Sequence, residues 1–164
     1  MPPFDLSKIP FFVKNGSAER NLGPVDLRVL KGWQWNTLVS YNAAIKKFAR
    51  FKASTGTPDY ILPITPDDVY AFVAWAGRGE DDDGEQKINA SSINKYLFAI
   101  KSWHTFHAAP YPYQTETRMK LMLKASGKQD ATVPQRREKS PVLVADLTRL
   151  FLYLEGKGTE CEAV

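Results

Sequence analysis

The chain has 164 residues, enough for one domain or for one domain plus part of a second. Its 43% hydrophobic content supports a packed core and excludes wholesale disorder, and no apolar run reaches the roughly 18 residues that a membrane helix needs. The net charge of +4 hides two opposed regions: residues 59–85 hold eight acidic side chains and one basic one, so the remainder is strongly basic and points to a polyanionic partner.

The opening stretch, MPPFDLSKIPFFVKNG, has two prolines and an aspartate ahead of any greasy run, unlike a secretory signal. Residues 1–32 are expected to form an extended N-terminal arm. From Asn36 the sequence NTLVSYNAAIKKFARFKASTG places Leu38, Tyr41, Ile45 and Phe48 on one helical face. Asn36 is the expected N-cap and Gly56 lies just past the expected end. Lys46, Lys47 and Arg50 fall opposite the apolar stripe. Lys52 lies nearer the stripe and is expected to snorkel outward.

In ILPITPDDVYAFVAWAGRG, Thr65 can cap, Pro66 suits the first helical position, and Asp67 and Asp68 favour the positive end of the helix dipole. Val69, Phe72, Val73 and Ala76 form the buried stripe, closed by Gly77 and Gly79. The loop RGEDDDGEQK that follows lacks the ligand spacing and distal glutamate of a calcium loop. It reads as solvated, on the side away from any nucleic acid.

The next helix, SSINKYLFAIKSWHTFH, has Ser91 as its expected cap. Ile93, Tyr96, Leu97, Ile100 and Trp103 cluster on one side, joined by His104 and His107. Opposite lie Ser91, Asn94, Lys95, Phe98, Lys101, Ser102 and Thr105. Phe98 sits mid-way across that polar side; packing on a neighbouring helix is preferred over contact with a thymine methyl group. A fourth helix, TETRMKLMLKASGKQ, offers Met119, Met122 and Leu123 for packing, with Arg118, Lys120, Lys124 and Lys128 facing solvent or phosphate. Residues 129–141 read as a basic linker. VLVADLTRLFLYLEGKG then starts a further amphipathic helix with Leu147, Leu150, Phe151 and Leu154 on its buried side, read as the first piece of a second domain over residues 142–164.

Catalytic machinery is scarce. His104 and His107 stand three residues apart on a helix, but no other ligand cluster accompanies them and they point to the apolar side, so they read as core histidines. No phosphate-binding glycine loop and no paired nucleophile and base occur. The single cysteine, Cys161, permits no disulfide within the chain, which fits a reducing compartment. No cofactor, metal, membrane or small-molecule substrate is expected. Segment 86–139 instead has ten basic residues against three acidic ones, interleaved with serine and asparagine. Cations neutralise phosphates, hydroxyls and helix N-termini take phosphate oxygens, and asparagine can read an adenine edge.

The ordered set TLVSYNAAIKKFARF, ITPDDVYAFVAW, INASSINKYLFAIKSWHTFH, LMLKASGKQ and REKSPVLVADLTRL resembles the N-terminal core-binding domain of tyrosine recombinases, the phage-integrase-like family, over residues 33–155. The run SSINKYLFAIKSWH is especially similar to versions in Crypton-type eukaryotic mobile elements and their fungal relatives. The resemblance implies an all-α, compact bundle of about four helices over residues 33–128, which clamps DNA together with a separate catalytic domain. It implies double-stranded DNA as the partner, with self-association on DNA as a further expectation. The implied contacts are Ser91, Ser92, Asn94, Lys95 and Lys101 from the third helix, and Lys46, Lys47 and Arg50 from the first. Lys124 and Lys128 on the fourth helix join them, as do the linker cations Arg136, Arg137 and Lys139. The family cuts DNA with a tyrosine assisted by arginines, a histidine and a lysine of the catalytic domain. Arg149 lies too early to match one of those arginines, so this polypeptide is expected to bind DNA and not to cleave it. The expected location is the nucleus in a eukaryote and the cytoplasm otherwise. The alternatives are a helical protein-interaction module, a domesticated transcriptional regulator, and single-strand binding by exposed aromatics.

Overall fold

The structure is a computed structural model. It describes residues 4–79, 87–133 and 141–155. Two units are distinct, one up to Val133 and one from Pro134 onward. The first is all-helical, built from α1 (Pro10–Val13), α2 (Pro24–Leu30), α3 (Trp35–Ser54), α4 (Pro66–Ala76), α5 (Ala90–Phe106) and α6 (Glu116–Asp130). The second contains α7 (Val144–Glu155). Among the described residues no strand forms beyond two isolated bridges, Asn15 with Ala18 and Gly77 with Ile88.

Helices α3 to α6 make the expected bundle, and α3 against α5 is its most extensive contact. Most of the apolar stripes read from spacing are buried: Leu38, Ile45 and Phe48 on α3, Val69, Phe72, Val73 and Ala76 on α4, and Ile93, Leu97, Ile100 and Trp103 on α5, while Tyr41 and Tyr96 are partly buried at their edge. Their rings interlock, with Phe48 edge-on to Phe72 at 5.2 Å and to Trp103 at 6.4 Å. Helix α4 starts as expected, with a capping box in which Asp68 N–H donates to Thr65 Oγ1 and Thr65 N–H donates to Asp68 Oδ2, both at 3.1 Å.

Four local expectations are corrected. Helix α3 begins two residues early, at Trp35, with Gln34 as N-cap and no side-chain cap bond, so Asn36 is inside the first turn. Helix α5 is capped by Asn89, whose Oδ1 accepts from Ser92 N–H at 2.9 Å, while Ser91 is helical and its hydroxyl donates to the same oxygen. Lys52 does not reach solvent: it is 7% exposed and its ammonium donates to Asp68 at 2.9 Å. Helix α6 also continues to Asp130, two residues into the stretch read as linker.

The N-terminal segment does not stand away from the bundle. Ile9, Phe12 and Leu30 are wholly buried in the core. Asn42 Oδ1 accepts from the backbone N–H groups of Phe11 and Phe12 at 2.8 and 3.1 Å, and Trp103 Nε1 donates to Lys14 O at 2.9 Å. Gly16 makes this docking possible. Its φ is +66°, and a Cβ there would lie 2.1 Å from Tyr60 O. The apolar residues Phe11, Phe12 and Val13 therefore complete a core that the four main helices leave open.

Helix α7 stands in its own unit with an amphipathic pattern and an exposed apolar side, including Leu147, Leu150 and Phe151. Leu154 is partly exposed.

Candidate nucleic-acid interface

Helices α3 and α5 together contain no aspartate or glutamate and six lysines or arginines: Lys46, Lys47, Arg50, Lys52, Lys95 and Lys101. Packing sorts these cations into two groups. Lys52 is bound to Asp68 of α4, and its ammonium lies 5.2 Å over the Tyr60 ring. Lys101 is bound to Glu116 of α6 and lies 5.4 to 5.6 Å from the rings of Phe98, Tyr111 and Tyr113. Lys46, Arg50 and Lys95 are exposed, and among the described residues no carboxylate pairs with them.

Lys47 is half-buried over Trp75 of α4 at 5.5 Å. Burial, then the nearby charges of Arg50 and Lys87, pull its ammonium below the ordinary lysine range. Lys87 is anchored by donation to Trp75 O at 2.6 Å, at the carbonyl end of α4 where the helix dipole favours a cation. Residues 80–86, which include the acidic run, and the linker cations Arg136, Arg137 and Lys139 lie outside the described residues.

Two grooves flank α5. The one toward α3 is lined by Asn36, Thr37, Ser40 and Ala43 of α3 with Lys95 and Ala99 of α5. Tyr41 and Tyr96 also line it, the Ser40 hydroxyl donates to Asn36 O at 3.0 Å, and the Asn36 amide and Thr37 hydroxyl can donate to phosphate oxygens. The one toward α6 is lined by Asn94, Phe98 and Lys101 of α5 with Glu116 and Lys120 of α6. Between them runs the exposed ridge of α5, with Ser91, Asn94, Lys95, Phe98 and Thr105. Phe98 does not pack into the core; it is 55% exposed. Thr105 is turned back, its hydroxyl donating to Lys101 O at 3.1 Å. Ser92 is partly buried.

The N-terminus of α5 is already occupied. Ala90 N–H donates to Asp130 Oδ2 at 2.7 Å, and Asp130 also takes Arg78 at 2.7 Å. Asn89 takes the Ser92 N–H. This helix end therefore offers its first donors to the protein's own side chains and not to a phosphate. Lys124 and Lys128 line a separate groove between α4 and α6, beside Arg78. The structure sets Lys46 and Arg50 exposed on α3, Lys47 on its α4 side over Trp75, Lys95 in the α3–α5 groove, and Asn94 and Lys101 on the α6 side of α5. Lys124 and Lys128 belong to the other groove.

Sequence reasoning missed Lys87, Asn36 and Ser40. A signal for the α3 residues was present: Asn36, Ser40, Ala43, Lys47 and Arg50 recur every three or four residues, a helical stripe of polar, small and basic side chains. Lys87 had none, because its place depends on where the chain returns after α4.

The sequence model of one protein family, phage integrase, N-terminal SAM-like domain, matches residues 26–109, just over half of the chain. The chain belongs to this family. The matched region runs from within α2 to just beyond α5, so it holds α3, α4 and α5 with both helices of the cationic surface. This is the core-binding domain of the tyrosine recombinases, and the all-helical fold agrees with it. No curated protein and no solved structure matches the chain. In this integrase-family domain the two histidines are structural. His104 is buried, with Nδ1–H donating to Ile100 O at 2.7 Å and Nε2 accepting from Ile64 N–H at 3.2 Å. His107 Nε2–H donates to Phe12 O at 3.0 Å and its Nδ1 accepts from Arg20 at 2.9 Å. Each ring has one donor and one acceptor satisfied, which requires the neutral form.

Proposed function

We propose that this domain binds double-stranded DNA through the α3–α5 surface, as the non-catalytic half of a clamp in a tyrosine-recombinase-like protein that recombines or integrates DNA. The observation that carries this reading is the division of cations on two packed helices that lack carboxylates. Lys52 and Lys101 are tied to acids from α4 and α6, while Lys46, Arg50 and Lys95 remain exposed beside Lys47. Phosphates match such a surface because each contact releases condensed counterions. Asn94 on the ridge is the candidate reader of a base edge. The same proposal covers the linker cations as contacts to the backbone between two domains. It also covers descent from a Crypton-type element or fungal relative, for which SSINKYLFAIKSWH is the supporting run, and nuclear location in a eukaryotic host.

A salt titration of binding to a short random-sequence duplex tests the reading. The three exposed cations Lys46, Arg50 and Lys95 alone give a log–log slope of about −3, steeper by about 0.9 for each further phosphate contact such as a linker cation. Arg50→Glu with Lys95→Glu should abolish binding while the fold persists. Undiminished binding by that variant would overturn this surface, and no binding at low salt would overturn the DNA reading. A second reading, docking of a protein partner, is favoured by the exposed apolar side of α7, and binding of protein without DNA would support it.

A further inference from the structure

Phe98 is the one large exposed apolar side chain on α5, at 55% exposure, in the middle of a ridge that is otherwise serine, asparagine, lysine and threonine. Even with exposed Tyr113, which shares Lys101 with it, the ring makes a patch far too small for a protein interface, which needs roughly 800 Å2 per partner. It is also held in position. Lys101 Nζ lies 5.4 Å from its centroid, and Lys101 is itself fixed by Glu116 and by the rings of Tyr111 and Tyr113. The ammonium braces Phe98 against the α6 side. One turn earlier stands Asn94, exposed on the same ridge. Residues four apart on a helix are separated by about 6 Å along its axis, close to two base-pair rises of about 3.4 Å.

Resting on the DNA reading above, we infer that Phe98 is a specificity-determining residue: it contacts the 5-methyl group of a thymine in the major groove, two base-pair steps from the pair read by Asn94. The chemistry is complementary. The thymine methyl is the apolar feature of the major-groove edge, and phenylalanine is one of the side chains that can cover it. Asn94 offers an amide that can pair with adenine N6 and N7. Lys101, bound to Glu116, then acts as a positioning residue for the ring and not as a phosphate contact. The domain prefers a short A·T-containing step under the middle of α5.

The test selects bound sequences from a random duplex pool, separately for the wild-type chain and for Phe98→Ala. The wild-type pool should be enriched in a thymine that the variant pool lacks, with the Asn94-dependent adenine kept in both. Replacing that thymine by deoxyuridine removes only the methyl group, in the DNA, so folding of the protein is not at issue. A buried methyl group is worth about 0.8 kcal/mol, or about fourfold in affinity. The wild type should lose about that factor, and Phe98→Ala should lose none. Equal affinity of the wild type for the thymine and deoxyuridine duplexes overturns the inference and leaves the DNA reading intact. Absence of duplex binding by the wild type overturns both.

Discussion

Lys52 on α3 reaches Asp68 on α4 at 2.9 Å, and the same carboxylate accepts the Thr65 N–H that opens α4. One acid thus joins a helix cap to an interhelical ion pair. Removing the lysine leaves that carboxylate without its cation beside the core. Lys52→Ala should lower stability by roughly 1–2 kcal/mol, less than a fully buried pair would cost because Asp68 keeps part of its hydration. Urea denaturation measures this. DNA affinity per folded molecule should be unchanged, since Lys52 faces α4.

The two lysines of α5 should behave oppositely. Lys101→Glu sets a carboxylate against Glu116, so it should lower the melting temperature, and adding Glu116→Lys should restore it. Lys95→Glu should leave the melting temperature unchanged and weaken DNA binding. Thermal melts beside a binding titration separate the pair. Equal melting temperatures for Lys101→Glu and the wild type would contradict the ion pair.

Acid should destabilise the fold through the histidines. Burial first, against the hydrogen bond to Ile100, pulls His104 below the ordinary 6.5. His107 is lowered in the same way, by burial and by the Arg20 charge, against its bond to Phe12. The unfolded chain therefore binds protons at about pH 6.5 that the folded chain refuses. Stability is fully present above that value and declines as pH falls below it, until the lowered folded values are passed. Urea midpoints between pH 7.5 and 5 should fall, and His104→Gln should flatten the slope.

Gly16→Ala should be among the most damaging single changes outside the main helices. The new Cβ would meet Tyr60 O at 2.1 Å, a backbone atom that cannot swing aside, at a φ of +66°. A loss of about 2 kcal/mol or more is expected. Gly77→Ala meets the ends of Ile93 and Ser126 at 2.9 Å and Val73 O at 3.0 Å, but at a φ of −87° that alanine adopts freely, and should cost less. Chemical denaturation of the two variants ranks them, and the opposite order would contradict the N-terminal docking.

Much of the bundle follows from the order of side chains alone. Phe48, Phe72 and Trp103 lie at apolar spacings that bury one face of each helix, and the Thr65–Pro66–Asp67–Asp68 start of α4 needs no distant partner. Spacing leaves the cap of α5 ambiguous, because Asn89 and Ser91 are both capping residues two positions apart, and only the turn geometry chooses between them. The N-terminal residues were read as an arm because Phe12 and Leu30 stand outside any long periodic run. Their burial comes from the gap left by α3 and α5.

The functional surface divides along the same line. Charge along the chain is a local property, so the absence of acids from α3 and α5 was readable without a fold. Which cations stay available is a matter of distance between helices far apart in sequence. Asp68 comes to Lys52 and Glu116 to Lys101 only when α4 and α6 pack on the pair, and Phe98 is left exposed because no neighbouring helix covers its position. Residue order along the chain is enough for the main helices and their charge. Tertiary packing decided which charges are neutralised within the protein, because an ion pair or a covered ring depends on separations of a few ångströms that spacing along one helix does not specify.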